Sequence, residues 1–238
     1  ACRDRRPMHD SKRILAVIPA RGGSVSVPRK NIQPLGGEPL LVYTLLQAQQ
    51  VPELDLFVVS TDSAEIKQVA CEYGVSVIDR PSALASDTAS TEAALLHALD
   101  ELEAQGRALF DYVVVMEPTS PFRMPETISK CIRRLIESGE DSLMTVRETR
   151  DNIGTICNGV FQPLHSDAPR RRQERKPFYV ESSTVYVCRV PYLRQTGTLV
   201  SQSWMAEIVA DEEAIDINTP VDLQIADAIM RSRNHKSK

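Results

Sequence analysis

The residues best suited to chemistry lie between Pro19 and Asn31, where the chain reads P-A-R-G-G-S-V-S-V-P-R-K-N. Arg21, Arg29 and Lys30 carry positive charge, and Ser24 and Ser26 carry hydroxyl donors. Gly22 and Gly23 let the backbone approach a ligand closely. That combination suits a polyphosphate, which needs cations and short donors converging on closely spaced oxygens. Neither common nucleotide fingerprint is present: there is no G-x-x-x-x-G-K-[ST] and no G-x-G-x-x-G. Three further stretches carry similar potential. Asp79 to Thr91 (D-R-P-S-A-L-A-S-D-T-A-S-T) is polar and hydroxyl-rich with one arginine; Glu117 to Arg123 (E-P-T-S-P-F-R) is a loop fixed by two prolines. Asp216-Ile217-Asn218 precedes a helix opening at Thr219-Pro220. A basic run, Arg170 to Lys176, reads in isolation as a solvated face or a loop.

The elements that must position these residues follow from periodicity. Ile14 to Ile18 is a short continuous apolar run, the mark of a buried parallel strand, and the Gly-rich loop leaves its C-terminal end. Leu40 to Gln50 has apolar residues at helical spacing (Leu41, Leu45, Leu46, Ala48). A strand over Leu56 to Ser60 is followed by a helix capped by Asp62 or Ser63, running to Tyr73 with Gly74 beyond it. Val75 to Ile78 is a third strand, and Glu92 to Ala104 a clear helix. Tyr112 to Met116 is a strand ending at the Glu117 loop, Pro125 opens a helix that stops near Gly139, and Ser142 to Arg147 is another strand. These βα steps predict an α/β fold with a mostly parallel, doubly wound sheet and right-handed crossovers. From about Arg150 to Leu199 the rhythm breaks, with strand-like runs at Thr155 to Phe161 and Thr184 to Arg189, which predicts an insertion. Ala206 to Ala210 is a last strand before the final helix.

Composition sets the class. With 238 residues, 42% hydrophobic and 25% charged, the chain is a globular unit able to bury a core: one domain over 13–238 with the insertion at about 150–200. A net charge of −4 argues against a general nucleic-acid binder. The five cysteines, Cys2, Cys71, Cys131, Cys157 and Cys188, form no C-x-x-C pair, which fits a reducing, cytoplasmic setting. No apolar run reaches the roughly 20 residues of a membrane helix, and the polar N-terminus has no signal-peptide core. The expectation for residues 1–12 is a disordered tail, with Met8 as a natural start.

Taken in order, the motifs resemble those of the CMP-N-acylneuraminate synthetases (acylneuraminate cytidylyltransferases), over Arg13 to Met230. Arg21, Ser24, Lys30 and Asn31 match the opening A-R-x-x-S-K-G-x-P-x-K-N, and Val59 to Asp62 match V-S-T-D. Arg80, Pro81, Leu84, Ala85, Asp87, Ala89 and Ser90 match R-P-x-x-L-A-x-D-x-A-S, and Pro118 to Pro121 with Arg123 match P-T-S-P-x-R. Arg172-Gln173 match an R-Q before an aromatic, here Phe178 and Tyr179. Ile215, Asp216, Ile217, Thr219, Asp222 and Leu223 match I-D-I-D-T-x-x-D-L. The resemblance implies a nucleotide-diphospho-sugar transferase type of fold with a small β-rich dimerisation insertion, and hence a homodimer. It implies transfer of CMP from CTP to a 2-keto sugar acid such as a sialic, legionaminic or related nonulosonic acid, with release of pyrophosphate. It places the nucleotide against Ala20, Arg21, Gly22, Gly23, Ser24, Asn31, Arg80, Asp87, Ser90 and Thr91. It places the sugar against Glu117, Thr119, Ser120, Arg123, Arg172, Gln173 and Tyr179. Arg21, Lys30 and Asp216 become the catalytic set, with Mg²⁺ (or Mn²⁺) held by Asp216 and Asn218.

Four departures qualify this. The motif lysine and glycine are Val25 and Ser26, so Arg29 or a basic residue of the insertion is expected to supply the missing charge. Glu117 replaces a glutamine, an acceptor-only group beside the sugar. Val180 to Tyr186 replaces R-x-N-G-A-I-Y without the arginine, and Asn218 replaces a carboxylate. No histidine falls in a matched motif, so metal-assisted deprotonation of the anomeric hydroxyl is the expectation. Rival readings are a cytidylyltransferase for 3-deoxy-manno-octulosonate, one acting on a methylerythritol phosphate, and a non-catalytic relative that binds nucleotide or sugar.

Overall fold

The computed structural model describes residues 12–24, 26–107, 109–165, 167 and 169–236. Val25 and residues 1–11, including Met8, lie outside the described residues. Of the tail expected over 1–12 only Lys12 is described, its ammonium 3.1 Å from Asp111.

In chain order, β1 (Ile14–Pro19) is followed by two short strands, β2 (Pro34–Leu35) and β3 (Glu38–Pro39), and then by α1 (Leu40–Gln49). Next come β4 (Leu56–Thr61), α2 (Ala64–Glu72), β5 (Ser76–Asp79), α3 (Thr91–Ala104), β6 (Tyr112–Val115), α4 (Pro125–Ser138) and β7 (Ser142–Thr149). A hairpin of β8 (Gly154–Cys157) and β9 (Val160–Pro163) leads to β10 (Phe178–Arg189), α5 (Val190–Thr196), β11 (Met205–Val209) and α6 (Pro220–Lys236). Seven strands form one sheet in the order β11-β7-β10-β6-β1-β4-β5. All neighbours are parallel except β10, which runs antiparallel to both β6 and β7.

The side-chain period of two divides each strand between two cores. Ile14, Ala16 and Ile18 of β1 face one side, with Leu41 and Leu45 of α1, Ile66 and Ala70 of α2, and Ile128, Ile132 and Leu135 of α4. Leu15 and Val17 face the other, with Leu95, Ala98, Leu99 and Leu102 of α3 and Val190 and Leu193 of α5. Because both faces are covered, the central strands β1 and β6 are apolar without alternation, as the sequence predicts for β1. A third cluster joins Ala226 and Met230 of α6 to Leu35, Leu40, Phe122 and Ile217. It packs the segment before α6 against the Glu117–Arg123 loop.

Local signals set most boundaries. Ser63 accepts the Ile66 amide at 3.4 Å, and Ser90 accepts the Ala93 amide at 3.2 Å, so each caps a helix. Leu46, expected on the buried face of α1, is 41% exposed; Leu40 takes its place as the first buried residue. The run Thr155 to Phe161 is two strands, not one. Asn158 and Gly159 both take positive φ (49° and 78°), the conformation of a tight hairpin turn. The region 150–200 also divides: the hairpin stands outside the main sheet, whereas Phe178–Arg189 runs within it. The α5 helix was not expected. Among the described residues no helix is long and apolar enough to cross a membrane.

Candidate active site

The C-terminal ends of β1, β5 and β6 deliver three loops to one cavity of about 440 Å³. Arg21, Gly23, Ser24, Ser26, Lys30 and Asn31 line it from the first loop, and Arg80, Leu84, Ser86, Asp87, Ser90 and Thr91 from the second. Glu117, Pro118, Thr119 and Asn218 close the far end.

The first loop is pinned at each turn. The Gly22 amide donates to Asp62 Oδ1 at 2.8 Å, and the Asn31 amide group donates to the Arg21 carbonyl at 3.0 Å. A Cβ at Gly22 would stand 2.8 Å from Ser63 Cβ, so only glycine lets the loop lie against the start of α2. Arg21 reaches across the cavity to Asp87, 2.5 Å away, and to the Ala85 carbonyl at 3.5 Å. Arg80 lies beneath, its guanidinium held by the Ser60 hydroxyl (3.1 Å) and carbonyl (2.6 Å). Burial lowers its pKa, with Arg21 adding to the fall and Asp62 opposing it. Ser90 and Thr91 present the N-terminus of α3 to the same space, where unsatisfied amides favour an anion or a polar edge.

At the other end, Lys30 donates to the Ile217 carbonyl at 2.8 Å and to Asn218 Oδ1 at 3.5 Å. Burial lowers its pKa; Asp216 and Glu117 oppose that, while Arg21 adds to it. The Glu117 carboxyl is pushed up by burial and by Asp216, against the pull of Arg123 and Lys30. The Ile217 amide donates to the Thr119 carbonyl at 2.9 Å, which locks the Asp216 segment to the Glu117 loop. Asn218 Nδ2 donates to Asp216 Oδ2 at 2.6 Å, leaving Asp216 Oδ1 buried without a partner. Ser120 Oγ is orphaned in the same way.

Among the described residues no group of three or more His, Cys, Asp or Glu side chains forms a metal cage. Mg²⁺ does not need one. It keeps waters and binds through one or two carboxylates together with substrate phosphates. The orphaned Asp216 oxygen, beside the Asn218 amide and close enough to Lys30 to act on its charge, fits that mode.

The structure does not bring every expected residue to the cavity. Ala20 is fully buried behind the loop and Ser120 is 1% exposed. Arg123, expected to touch sugar, is 1% exposed and donates only to neighbouring protein atoms. Arg172 pairs with Asp151 at 3.5 Å, and Arg172, Gln173 and Tyr179 are exposed away from the cavity of this chain. Arg29 pairs with Glu65 at 2.8 Å and does not line the cavity. Two residues were missed. Ser86 lines the cavity beside Arg80 and Asp87, and its hydroxyl-rich stretch is the available signal. Tyr186 donates to Glu181 at 2.8 Å and lies near enough to Glu117 for that carboxylate to raise its pKa, after burial and the Glu181 bond. Its place depends on how β10 enters the sheet, which no local pattern reveals.

A family model for cytidylyltransferases matches residues 15–212. The chain is 33% identical over 226 residues to CMP-N,N'-diacetyllegionaminic acid synthase of Legionella pneumophila, covering 92% of this chain and 96% of that protein. It is 33% identical over 240 aligned residues to pseudaminic acid cytidylyltransferase of Campylobacter jejuni, covering 94% and 98%. The structure of CMP:2-keto-3-deoxy-manno-octonic acid synthetase complexed with CTP superposes with a TM-score of 0.71 over 93% of this chain and 100% of that one. At 17% identity this last likeness shows the shared fold. With a family match along most of its length, and relatives a third identical almost end to end, the chain belongs to the cytidylyltransferases, the family of the CMP-N-acylneuraminate synthetases that its motifs resemble.

Proposed function

We propose that this nucleotidyltransferase joins the CMP of CTP to the anomeric oxygen of a nine-carbon 2-keto sugar acid of the legionaminic, pseudaminic or sialic class. The observation that carries this reading is the two-ended cavity. A cationic, glycine-rich loop and the start of α3 line one end, and Glu117, Thr119 and Asn218 line the other. The relatives' names support the sugar class.

In this reading the cytidine lies along Arg80, Ser86 and the Ser90–Thr91 turn, and the triphosphate lies on the Gly23 and Ser24 amides, Arg21 and Lys30. The anomeric oxygen bonds to the α-phosphorus as the bond from that phosphorus to the bridging oxygen breaks. Pyrophosphate leaves, and the hydroxyl proton is lost to solvent or buffer. Negative charge grows on the departing phosphates, so prepositioned cations and amides do most of the work. Arg21 must leave Asp87 to meet them. Lys30 is already directed to the junction of the two ends by the Ile217 carbonyl. Asp216 and Asn218 would hold Mg²⁺ (or Mn²⁺), which would supply charge neutralisation at the phosphates and acidify the attacking hydroxyl. The enzyme works in the cytoplasm as a homodimer; Ile156, Val160 and Phe161, exposed on the hairpin at 76%, 61% and 50%, support an apolar contact there.

The test is pyrophosphate release with Mg²⁺ and CTP against a panel of 2-keto sugar acids, with ATP, GTP and UTP as controls. Release with CTP and one nonulosonic acid is the expected result. CTP binding without release for every sugar acid would instead support a non-catalytic relative.

A further inference from the structure

Arg123 is the largest fully buried side chain among the described residues. Its guanidinium forks to three elements. Nε donates to the Thr184 carbonyl of β10, Nη1 to Thr44 Oγ1 (3.4 Å) and Gln47 Oε1 (3.2 Å) of α1, and Nη2 to the Glu117 carbonyl (2.8 Å). These acceptors are carbonyls, a hydroxyl and an amide, so the charge is buried against neutral groups. That is costly, and a methionine would fill the space at less expense. Burial lowers the Arg123 pKa to about 10, with Glu117, Asp216 and Glu213 opposing, so the group stays cationic at neutral pH.

One acceptor, the Glu117 carbonyl, belongs to a residue that lines the far end of the cavity, and the others tie that loop to α1 and β10. The Thr184 carbonyl is available because β10 bulges there. Its pairing with β7 shifts between Ser182 and Tyr186, and the Thr145 hydroxyl fills the gap, meeting the Ser182 carbonyl at 2.9 Å and accepting the Val185 amide at 3.0 Å. Bulges beside active sites re-aim backbone groups in this way. Gln47 adds a second tie, donating to the Pro121 carbonyl at 2.7 Å. The loop so held accepts the Ile217 amide at Thr119, one residue from Asp216.

We propose that Arg123 is a positioning residue for the sugar acid: without touching substrate, it holds the Glu117–Pro121 backbone against the β10 bulge and so fixes where Glu117 and Thr119 face the cavity. This rests on the sugar-acid reading above. Lysine cannot reach all three elements with its single head group, and methionine reaches none.

The experiment compares Arg123→Lys, Arg123→Met and, as a structural control, Glu53→Gln. Glu53 is also buried and is bonded to Ser129 (2.7 Å) and Arg133 (3.1 Å), but it lies off the cavity. Amide exchange, Tm, and KM and kcat for each substrate are measured. Arg123→Met is expected to lose about tenfold or more protection across 116–123 and 183–186, with Arg123→Lys between it and wild type. In Arg123→Lys, KM for the sugar acid rises or kcat falls by about tenfold or more, while KM for CTP stays within about twofold. Glu53→Gln lowers Tm with both KM values kept. Unchanged protection over 116–123, or equal losses toward CTP and sugar, or losses that follow Tm as in Glu53→Gln, overturn the proposal. If Arg123→Met does not fold, Arg123→Lys decides. A wild type inert toward every sugar acid refutes the functional reading alone, and the exchange pattern still supports or overturns the hold of Arg123 on the loop.

Discussion

Lys30 stands where the two halves of the cavity meet, and its environment sets its chemistry. Burial draws its pKa below the usual 10.5, so activity that needs the ammonium is lost on the alkaline side earlier than for a free lysine. The basic limb of kcat/KM should therefore fall below 10.5 in the wild type and move upward in Lys30→Arg, read from pyrophosphate release at about pH 7 to 11. Lys30→Met removes the charge outright and should cost about 10²–10³-fold in kcat. Glu117 belongs to the same scale. As an acceptor-only group it favours sugars with donors at that end and disfavours acceptors. Glu117→Gln should change the ratio of kcat/KM between sugar acids by about 10- to 100-fold and leave KM for CTP nearly unchanged, measured as paired competition assays.

At the scale of elements, α4 shows how charge fixes the edge of the sheet. Lys130 and Arg134 both pair with Glu207 of β11, whose side chain is only 7% exposed. Burial pushes the Glu207 pKa up, but the bonds from Lys130 and Arg134 outweigh it, and the net shift is downward. A carboxylate with a lowered folded pKa stabilises the fold above its unfolded value near 4.5, and that contribution is lost as pH falls through the folded pKa. Glu207→Gln should therefore cost about 1–3 kcal/mol at neutral pH, and the gap to wild type should close below about pH 4.5, followed by urea unfolding. The fork made by Arg123 works on the same scale, tying α1 and β10 to a loop from β6.

For the whole molecule, the layers on both faces of the sheet share the load, so one large deletion is felt globally. Leu99 is fully buried under β1 and β6, and Leu99→Ala should lower stability by about 2–5 kcal/mol, read by denaturant titration. The hairpin β8–β9 stands outside that core with its apolar residues exposed. Phe161→Asp combined with Ile156→Asp should convert the proposed dimer to monomer in sedimentation without lowering Tm by more than a few degrees.

Sequence alone determined the strands, helices and caps that precede the cavity, because each rests on a local period or a neighbouring side chain. Ile14 to Ile18 announces a strand buried on both faces, and Asp62 or Ser63 announces a helix start, which the structure gives to Ser63. It also named both ends of the cavity, through short motifs whose chemistry survives outside any fold. Tertiary structure alone decided which of those residues face the cavity. Arg123 and Thr119 lie four positions apart in one loop, yet one is buried behind it and the other lines the cavity. It also decided that β10 enters the middle of the sheet antiparallel, bringing Tyr186 and Glu181 toward Glu117. Those outcomes depend on contacts between residues tens of positions apart. Pairing register and burial select them, and neither is written in any local window.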